Sequence, residues 1–399
     1  MTPVLSLTCQ HCGAVYQRVP LEKDQLSVCS RCDETLETYS LFTASAWLAV
    51  VLATLVVFAL ANLFPIATLS FQGVNQSTTF LGAVWTSWED GYPEVAVLAG
   101  LVGFGLPLLQ LALLGLVLGG VSLGRLSGYF EPALKCLEWV KPWCMVPVFL
   151  LGSLVAVVKL VDLASLHIGI GLFATAITTV FMTSLARLTP RKLRYMALDA
   201  GLPVAPPELE PAPSPACLPR AWALLLAAAI MYVPANAMPI MTIAAINGTS
   251  GHTILGGVIE LAQMGSWDVA AVVFIASVFV PIFKIVLLAI LLWLTQKKKS
   301  WDLKRRTHLY GLVEFIGQWS MLDVFVVLLL AALGKFGSLL SIVPGPGAVA
   351  FGSVVVLTML SAMSFDPRLA WRWAGHRRQV TASQQTDVIK TESTLTHQS

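Results

Sequence analysis

The chain has 399 residues, of which 56% are hydrophobic and only 12% charged, with a formal net charge of +3 and a mean hydropathy of +0.77. A soluble globular domain carries about twice that share of charge, so the composition excludes a water-soluble domain and indicates a polytopic membrane protein. No nucleic-acid partner is expected, and no nucleotide-binding loop, nucleophile triad or catalytic metal motif is present, so the chain does not read as an enzyme.

The first forty residues are polar and lack an h-region, so no cleavable signal sequence is expected. Within them CQHCGAVYQRVPLEKDQLSVCSRC, residues 9–32, carries two CxxC pairs, Cys9 with Cys12 and Cys29 with Cys32, sixteen residues apart. Four thiolates in two such knuckles suit tetrahedral zinc, and the spacing is that of a zinc ribbon. With all four positions taken by Cys, no site is open for a substrate, so one structural zinc per chain is predicted. The rival, a redox pair or two disulfides, conflicts with the cytoplasmic placement derived next, because disulfides are rarely kept there.

Apolar runs long enough to cross roughly 30 Å of hydrocarbon follow at 44–64, 95–120, 143–163, 167–186, 220–244, 269–295, 317–342 and 347–364. Lys and Arg fall before span one, between two and three, between four and five, between six and seven, and after eight. The loops 66–93 and 245–267 contain none. By the positive-inside rule both termini are cytoplasmic and those two loops lie outside. Trp85 and Trp88 in FLGAVWTSWEDG, like ILGGVIELAQMG further on, suggest short amphipathic segments at the outer surface.

The chain also repeats itself. ALANLFPIATLS returns as VPANAMPIMTIA at an offset of 174, and Thr79, Gly82, Gly91 and Pro107 meet Thr253, Gly256, Gly265 and Pro281 without a gap. At an offset of 176, Phe149, Lys159, Gly169 and Gly171 meet Phe325, Lys335, Gly345 and Gly347. The predicted fold is an all-α polytopic membrane protein of eight transmembrane helices, arranged as two parallel four-helix repeats behind a small N-terminal zinc ribbon. The expected organisation is a cytoplasmic ribbon (1–40), a first four-helix unit (41–187), a Pro-rich cytoplasmic linker (188–219), a second unit (220–366) and a disordered cytoplasmic tail (367–399).

The ribbon, the ANLFPI and ANAMPI turns, WCMVPVF and WSMLDVF opening each third span, and the GIGLF and GPGAVAF starts of each fourth span together resemble the paraquat-inducible protein A family. The resemblance covers residues 9 to about 365. It implies a protein of the inner membrane of a Gram-negative bacterium, working with a periplasm-spanning tunnel partner built of MCE (mammalian cell entry) domains. The implied function is loading or unloading lipid at that partner, which maintains outer-membrane integrity. Two departures stand out. Relatives commonly carry a second cysteine ribbon where this chain has GLPVAPPELEPAPSPACLPR with Cys217 alone, a vestigial site at most. Relatives also often carry Asp in both W-x-M-x-D motifs, whereas here the first has Pro147 and only the second has Asp323.

Span six contains one formal charge, Lys284, at mid-depth, and Asp323 on span seven lies at similar depth. A charge at the bilayer centre costs from ~3 to over 10 kcal/mol unless paired or wetted. The counterparts in the first unit are Gln110 and Pro147, so a packing salt bridge common to both units is not what the pair represents. Two readings stay open, a transport polar site of Lys284 and Asp323 completed by Ser277, Ser320 and Thr358, or a fixed ion pair of the second unit. Two other function classes also stay open. An ion-coupled small-molecule exporter shares duplicated helices and a buried pair; a membrane thiol oxidoreductase shares the CxxC pairs, but its cysteines belong on the oxidising side.

Overall fold

The computed structural model describes residues 6–39 apart from 20 and 24, then 42–71, 74–126, 128–144, 146–161, 165–206, 212–245, 248–263, 265, 267–297, 303–319, 325–326, 340–375 and 389–391. It opens on two hairpins. Strands β1 (Ser6–Thr8) and β2 (Val15–Gln17) pair antiparallel, as do β3 (Gln25–Val28) and β4 (Thr35–Thr38), and each CxxC forms the turn between its two strands.

Thr43 caps the first long helix, α1 (Ala44–Leu63), by accepting from the Ala46 N–H, and the helix stops before Pro65, which cannot extend the ladder. The chain then leaves helix for an antiparallel hairpin, β5 (Ala67–Phe71) and β6 (Val74–Thr78). Next comes α2 (Phe80–Glu89), capped by Thr79. Helices α3 (Pro93–Gly100) and α4 (Leu106–Ser122) join through a widened π turn at Leu101–Gly105 into one apolar rod of 30 residues. The cause is Pro107, whose ring crowds the carbonyl four residues back and whose missing N–H leaves that carbonyl without a partner. The ladder accommodates it by bonding the Leu106 N–H five residues back, to Leu101 O.

Helix α5 (Phe130–Val140) leads through a tight turn at Lys141–Trp143 into α6 (Val146–Val161). Strand β7 (Ser165–Ile168) pairs with β5, completing a sheet of order β6-β5-β7 before α7 (Ile170–Leu185). Thr189 caps α8 (Pro190–Asp199), which leaves α7 at 62°.

The order of elements then recurs. Helix α9 (Cys217–Ala237) precedes a hairpin of β8 (Met241–Ala245) and β9 (Gly248–His252). Helices α10 (Ile254–Gln263) and α11 (Trp267–Phe274) follow, then a π turn at Ile275–Phe279 and α12 (Val280–Gln296). The last elements are α13 (Leu303–Trp319), β10 (Leu340–Pro344), α14 (Pro346–Ser364), α15 (Arg368–Trp373) and β11 (Ile389–Thr391). The second three-stranded sheet has order β9-β8-β10.

Correspondence between the halves extends to individual atoms. Ala67 pairs with Thr78 and Ile168; Met241, 174 residues on, pairs with His252 and Pro344. The second π turn also precedes a proline, Pro281, and the Val280 N–H likewise reaches five residues back to Ile275 O. Gly169 and Gly171 donate to Ile66 O and Pro65 O at 2.9 and 3.0 Å; Gly345 and Gly347 donate to Ile240 O and Pro239 O at 2.8 and 3.0 Å. A Cβ at any of these four glycines would overlap the backbone of residues 64–66 or 238–240, so only glycine permits the approach.

Five helices are long and apolar enough to cross a membrane among the described residues, and the bent pair of α7 and α8 makes a sixth if it counts as one span. The third expected span, α6, has 16 residues, about 24 Å at 1.5 Å per residue, and most of the seventh, 317–342, lies outside the described residues. Three sequence-based expectations change. The fold is mostly helical but not all-α: β8 and β10 take the ends of the expected spans 220–244 and 317–342, and with strands from the loops expected outside they form two sheets, which satisfy backbone amides where helix ends. The linker expected at 188–219 holds α8, and α9 already starts at Cys217, with Pro219 tolerated in the first turn. The tail expected to be disordered contains α15 and a strand, β11, paired antiparallel with β3.

The main core joins the two halves. Phe149 and its counterpart Phe325 meet edge to face with centroids 5.3 Å apart, and Phe80 packs on Phe149 at 4.6 Å.

Candidate metal centre and buried polar site

The two CxxC turns face each other. In the first, Cys9 N–H donates to Ala14 O and Gly13 N–H to Cys9 O; in the second, Cys29 N–H donates to Glu34 O and Asp33 N–H to Cys29 O. Gly13 and Asp33 hold the same left-handed place, at φ 71° and 60°. Asp is among the few side-chain-bearing residues that tolerate it, and there its carboxylate meets Lys304 Nζ at 2.8 Å.

All four cysteines are buried, and their sulfurs lie within 4.8 Å of one another, with Cys9–Cys32 and Cys12–Cys29 at 3.5 Å. Tetrahedral bonds of about 2.3 Å to one metal ion place thiolates about 3.8 Å apart, so the cluster fits a metal with little movement. Electrostatics argue the same way. The Cys29 thiol is held far below its ordinary pKa by hydrogen bonds from Cys12, Cys32 and Cys9, whereas Cys12 is pushed up by sharing with Cys29, and Cys32 by sharing with Cys12. Cys9 is also pulled down, chiefly by its hydrogen bond with Cys12, so without a cation the four thiols resist ionising together, whereas a dication permits all four to ionise. Tyr16, fully buried, places its hydroxyl 3.2 Å from Cys29 Sγ, a supporting contact that spacing rules for cysteine do not reveal.

The ribbon is fastened to both halves of the helical body. Tyr195 on α8 donates to Ser6 O, Arg191 to Thr8 O, and Arg18 bridges Glu37 and Asp199 at 2.8 and 2.7 Å. Leu303 on α13 and Trp371 on α15 close the same apolar cluster around the cysteines.

In the second half, Lys284 is 1% exposed, and its Nζ has no hydrogen-bond partner among the described residues. Ser277, also buried and unpartnered, stands seven residues earlier, two turns along the same face, inside the π turn that Pro281 imposes. Thr358 is buried on α14, which packs against α12, and its hydroxyl bonds Val355 O at 2.9 Å, its own helix. Ser320 and Asp323 lie outside the described residues; Phe325 and Val326, just beyond, are buried. Gln110, the counterpart of Lys284, is likewise buried with its Oε1 unpartnered. Cys136, Cys144 and Cys217 stand apart from the cluster.

The sequence model of paraquat-inducible protein A matches the chain twice, at residues 44–197 and 218–374. The chain is 32% identical to the intermembrane transport protein PqiA of Escherichia coli strain K12, over 92% of this chain and 95% of that one. It is 29% identical to a probable intermembrane transport protein of Haemophilus influenzae, over 93% and 96%. It is 28% identical to lipophilic envelope-spanning tunnel protein A of Escherichia coli strain K12, over 91% and 90%. No solved structure matches.

Proposed function

We propose that this chain, which belongs to the paraquat-inducible protein A family, is the inner-membrane component of an intermembrane lipid transport system. It loads or unloads lipid at an MCE-domain tunnel protein that spans the periplasm. The observation that carries this reading is the end-to-end match to relatives named for intermembrane transport and for an envelope-spanning tunnel.

The architecture proposed is eight spans in two parallel four-helix repeats with both termini cytoplasmic. It is supported by the double family match, the equal sheet registers, the paired π turns and the contact of Phe149 with Phe325. The basic loops support the orientation. The ribbon binds one structural zinc through Cys9, Cys12, Cys29 and Cys32; four buried thiolates leave no coordination position for catalysis. Fastened to α8, α13 and α15, it ties the cytoplasmic ends of the two units together.

Lys284 is the working group of the second unit, paired with Asp323 and supported by Ser277, Ser320 and Thr358. Burial of a cationic side chain on an apolar helix supports this, because such a group persists in membrane helices where function requires it. A proton moving between such partners would bias the packing of α12 and so couple to lipid hand-over.

The test uses Lys284→Met, Asp323→Leu and the double variant in a deletion strain. Each single change strands one charge and should abolish function. A double variant that folds but fails to restore the outer-membrane barrier supports a working site, and one that restores both indicates a fixed ion pair. Single variants that complement like wild type refute the assignment. Loss of resistance to toxic cations with an intact outer membrane would instead favour the exporter.

A further inference from the structure

Around the counterpart of Lys284 the first unit holds a cavity of about 580 Å³. Its walls include Gln110, Pro147 and Met182, the counterparts of Lys284, Asp323 and Thr358 at the offsets of 174 and 176. In the first unit these three positions carry no charge, and space stays open beside them. Its volume lies in the range of small-molecule sites.

The chemistry of its wall is specific. Gln110 is 3% exposed and lines the cavity, and its buried Oε1 has no partner among the described residues, so a hydrogen-bond donor on an occupant would satisfy it. Helix α6 starts in the same wall at Val146–Pro147, and the positive end of its dipole favours an anion. Lys141 adds a cation to that wall, and Glu138, one turn before it on the exposed side of α5, adds an anion. The site therefore asks for an acid and an amine in one molecule, with no net charge.

We propose that this cavity binds the phosphoethanolamine headgroup of a phospholipid. The phosphate is held by Lys141 and the start of α6, and the ammonium by Gln110 Oε1 and Glu138. The inference deepens the lipid-transport reading and rests on it, assigning the first unit the choice of lipid and leaving the charged pair to the second. Gln10, in the first CxxC turn, also lines the cavity, so the ribbon forms part of its wall.

Native mass spectrometry of the full-length protein, released from nanodiscs of equimolar phosphatidylethanolamine and phosphatidylglycerol, tests it. Wild type should retain the ethanolamine lipid over the glycerol lipid by about tenfold, the worth of one charge-assisted hydrogen bond. Glu138→Lys, at an exposed position that does not threaten folding, should reverse the preference. Gln110→Leu, which removes a buried polar group, should lower retention about tenfold without loss of stability. Retained lipid that mirrors the nanodisc composition, or a preference unmoved by Glu138→Lys, overturns the site. Displacement by free phosphoethanolamine assigns the cavity to a soluble ligand and overturns the lipid. Selective retention in a protein whose deletion leaves the outer membrane intact sinks the transport reading and spares the site; unselective retention with a leaky deletion strain does the reverse.

Discussion

The glycines at the start of each fourth span offer a quantitative test of both the packing and the duplication. Gly171→Ala adds a Cβ that overlaps Phe64 O and stands 2.8 Å from Pro65 O, and Gly347→Ala adds one 2.7 Å from Met238 O and 2.8 Å from Pro239 O. Real Cβ atoms do not come so close, and the obstacle is backbone, fixed on one side by the end of α1 or α9 and on the other by a sheet strand. Relief requires the helix start to move away, losing the 3.0 Å hydrogen bond from Gly171 to Pro65 O or from Gly347 to Pro239 O. Overpacking costs about 1–3 kcal/mol and the lost bond about 1 kcal/mol, so each variant should lose about 2–4 kcal/mol. Gly119, in the last turn of α4 where an added Cβ would meet nothing within 4 Å, is the control. There alanine should be neutral or stabilising by up to about 1 kcal/mol through helix propensity. Thermal unfolding of purified protein in lipid nanodiscs should give Gly171→Ala and Gly347→Ala drops of roughly 2–5 °C, with Gly119→Ala at or above wild type. A drop below roughly 1 °C at either glycine would refute the close backbone approach, and a drop at one glycine alone would refute its equivalence between the halves.

Elemental analysis should find one zinc per chain, and Cys29→Ser with Cys32→Ser should remove it, since metal binding supplies the folding energy of so small a unit. Without the metal, Arg18 and Lys23 should become cleavable by trypsin while the membrane helices stay protected; a zinc-free or two-zinc wild type counts against the centre. A double-mutant cycle on Phe149→Ala and Phe325→Ala should show a coupling of about 0.5–1.5 kcal/mol for an edge-to-face aromatic pair. Additive losses would mean that the two units do not meet there.

Features written locally in the chain were legible in it. The cysteine spacing foretold a four-thiol cluster that the fold closes to within 4.8 Å. Apolar runs marked α1, the rod from α3 to α4, α9, α12 and α14, because hydropathy is set residue by residue. The offsets of 174 and 176 anticipated matched glycines and prolines, though not that the prolines would each carry a π turn. The sheets were not legible. Strands β5 and β7 pair Thr68 with His167, and β8 and β10 pair Thr242 with Val343, across roughly a hundred residues of helix, and the strands are too short and mixed to announce themselves. Neither was the strand β11 in a Ser- and Thr-rich tail, whose composition forbids a core of its own but not pairing with an edge that β3 supplies.

The sequence alone thus determined which segments leave water, which four cysteines share a centre, and that a lysine must be buried in α12, because each follows from the solvation of individual side chains and from short spacings. Only the tertiary structure decided that the ribbon grips both halves, that Phe149 meets Phe325, and that a cavity lies open beside Gln110. Those outcomes depend on side-chain volumes and backbone carbonyls brought together from distant parts of the chain, which no local pattern records.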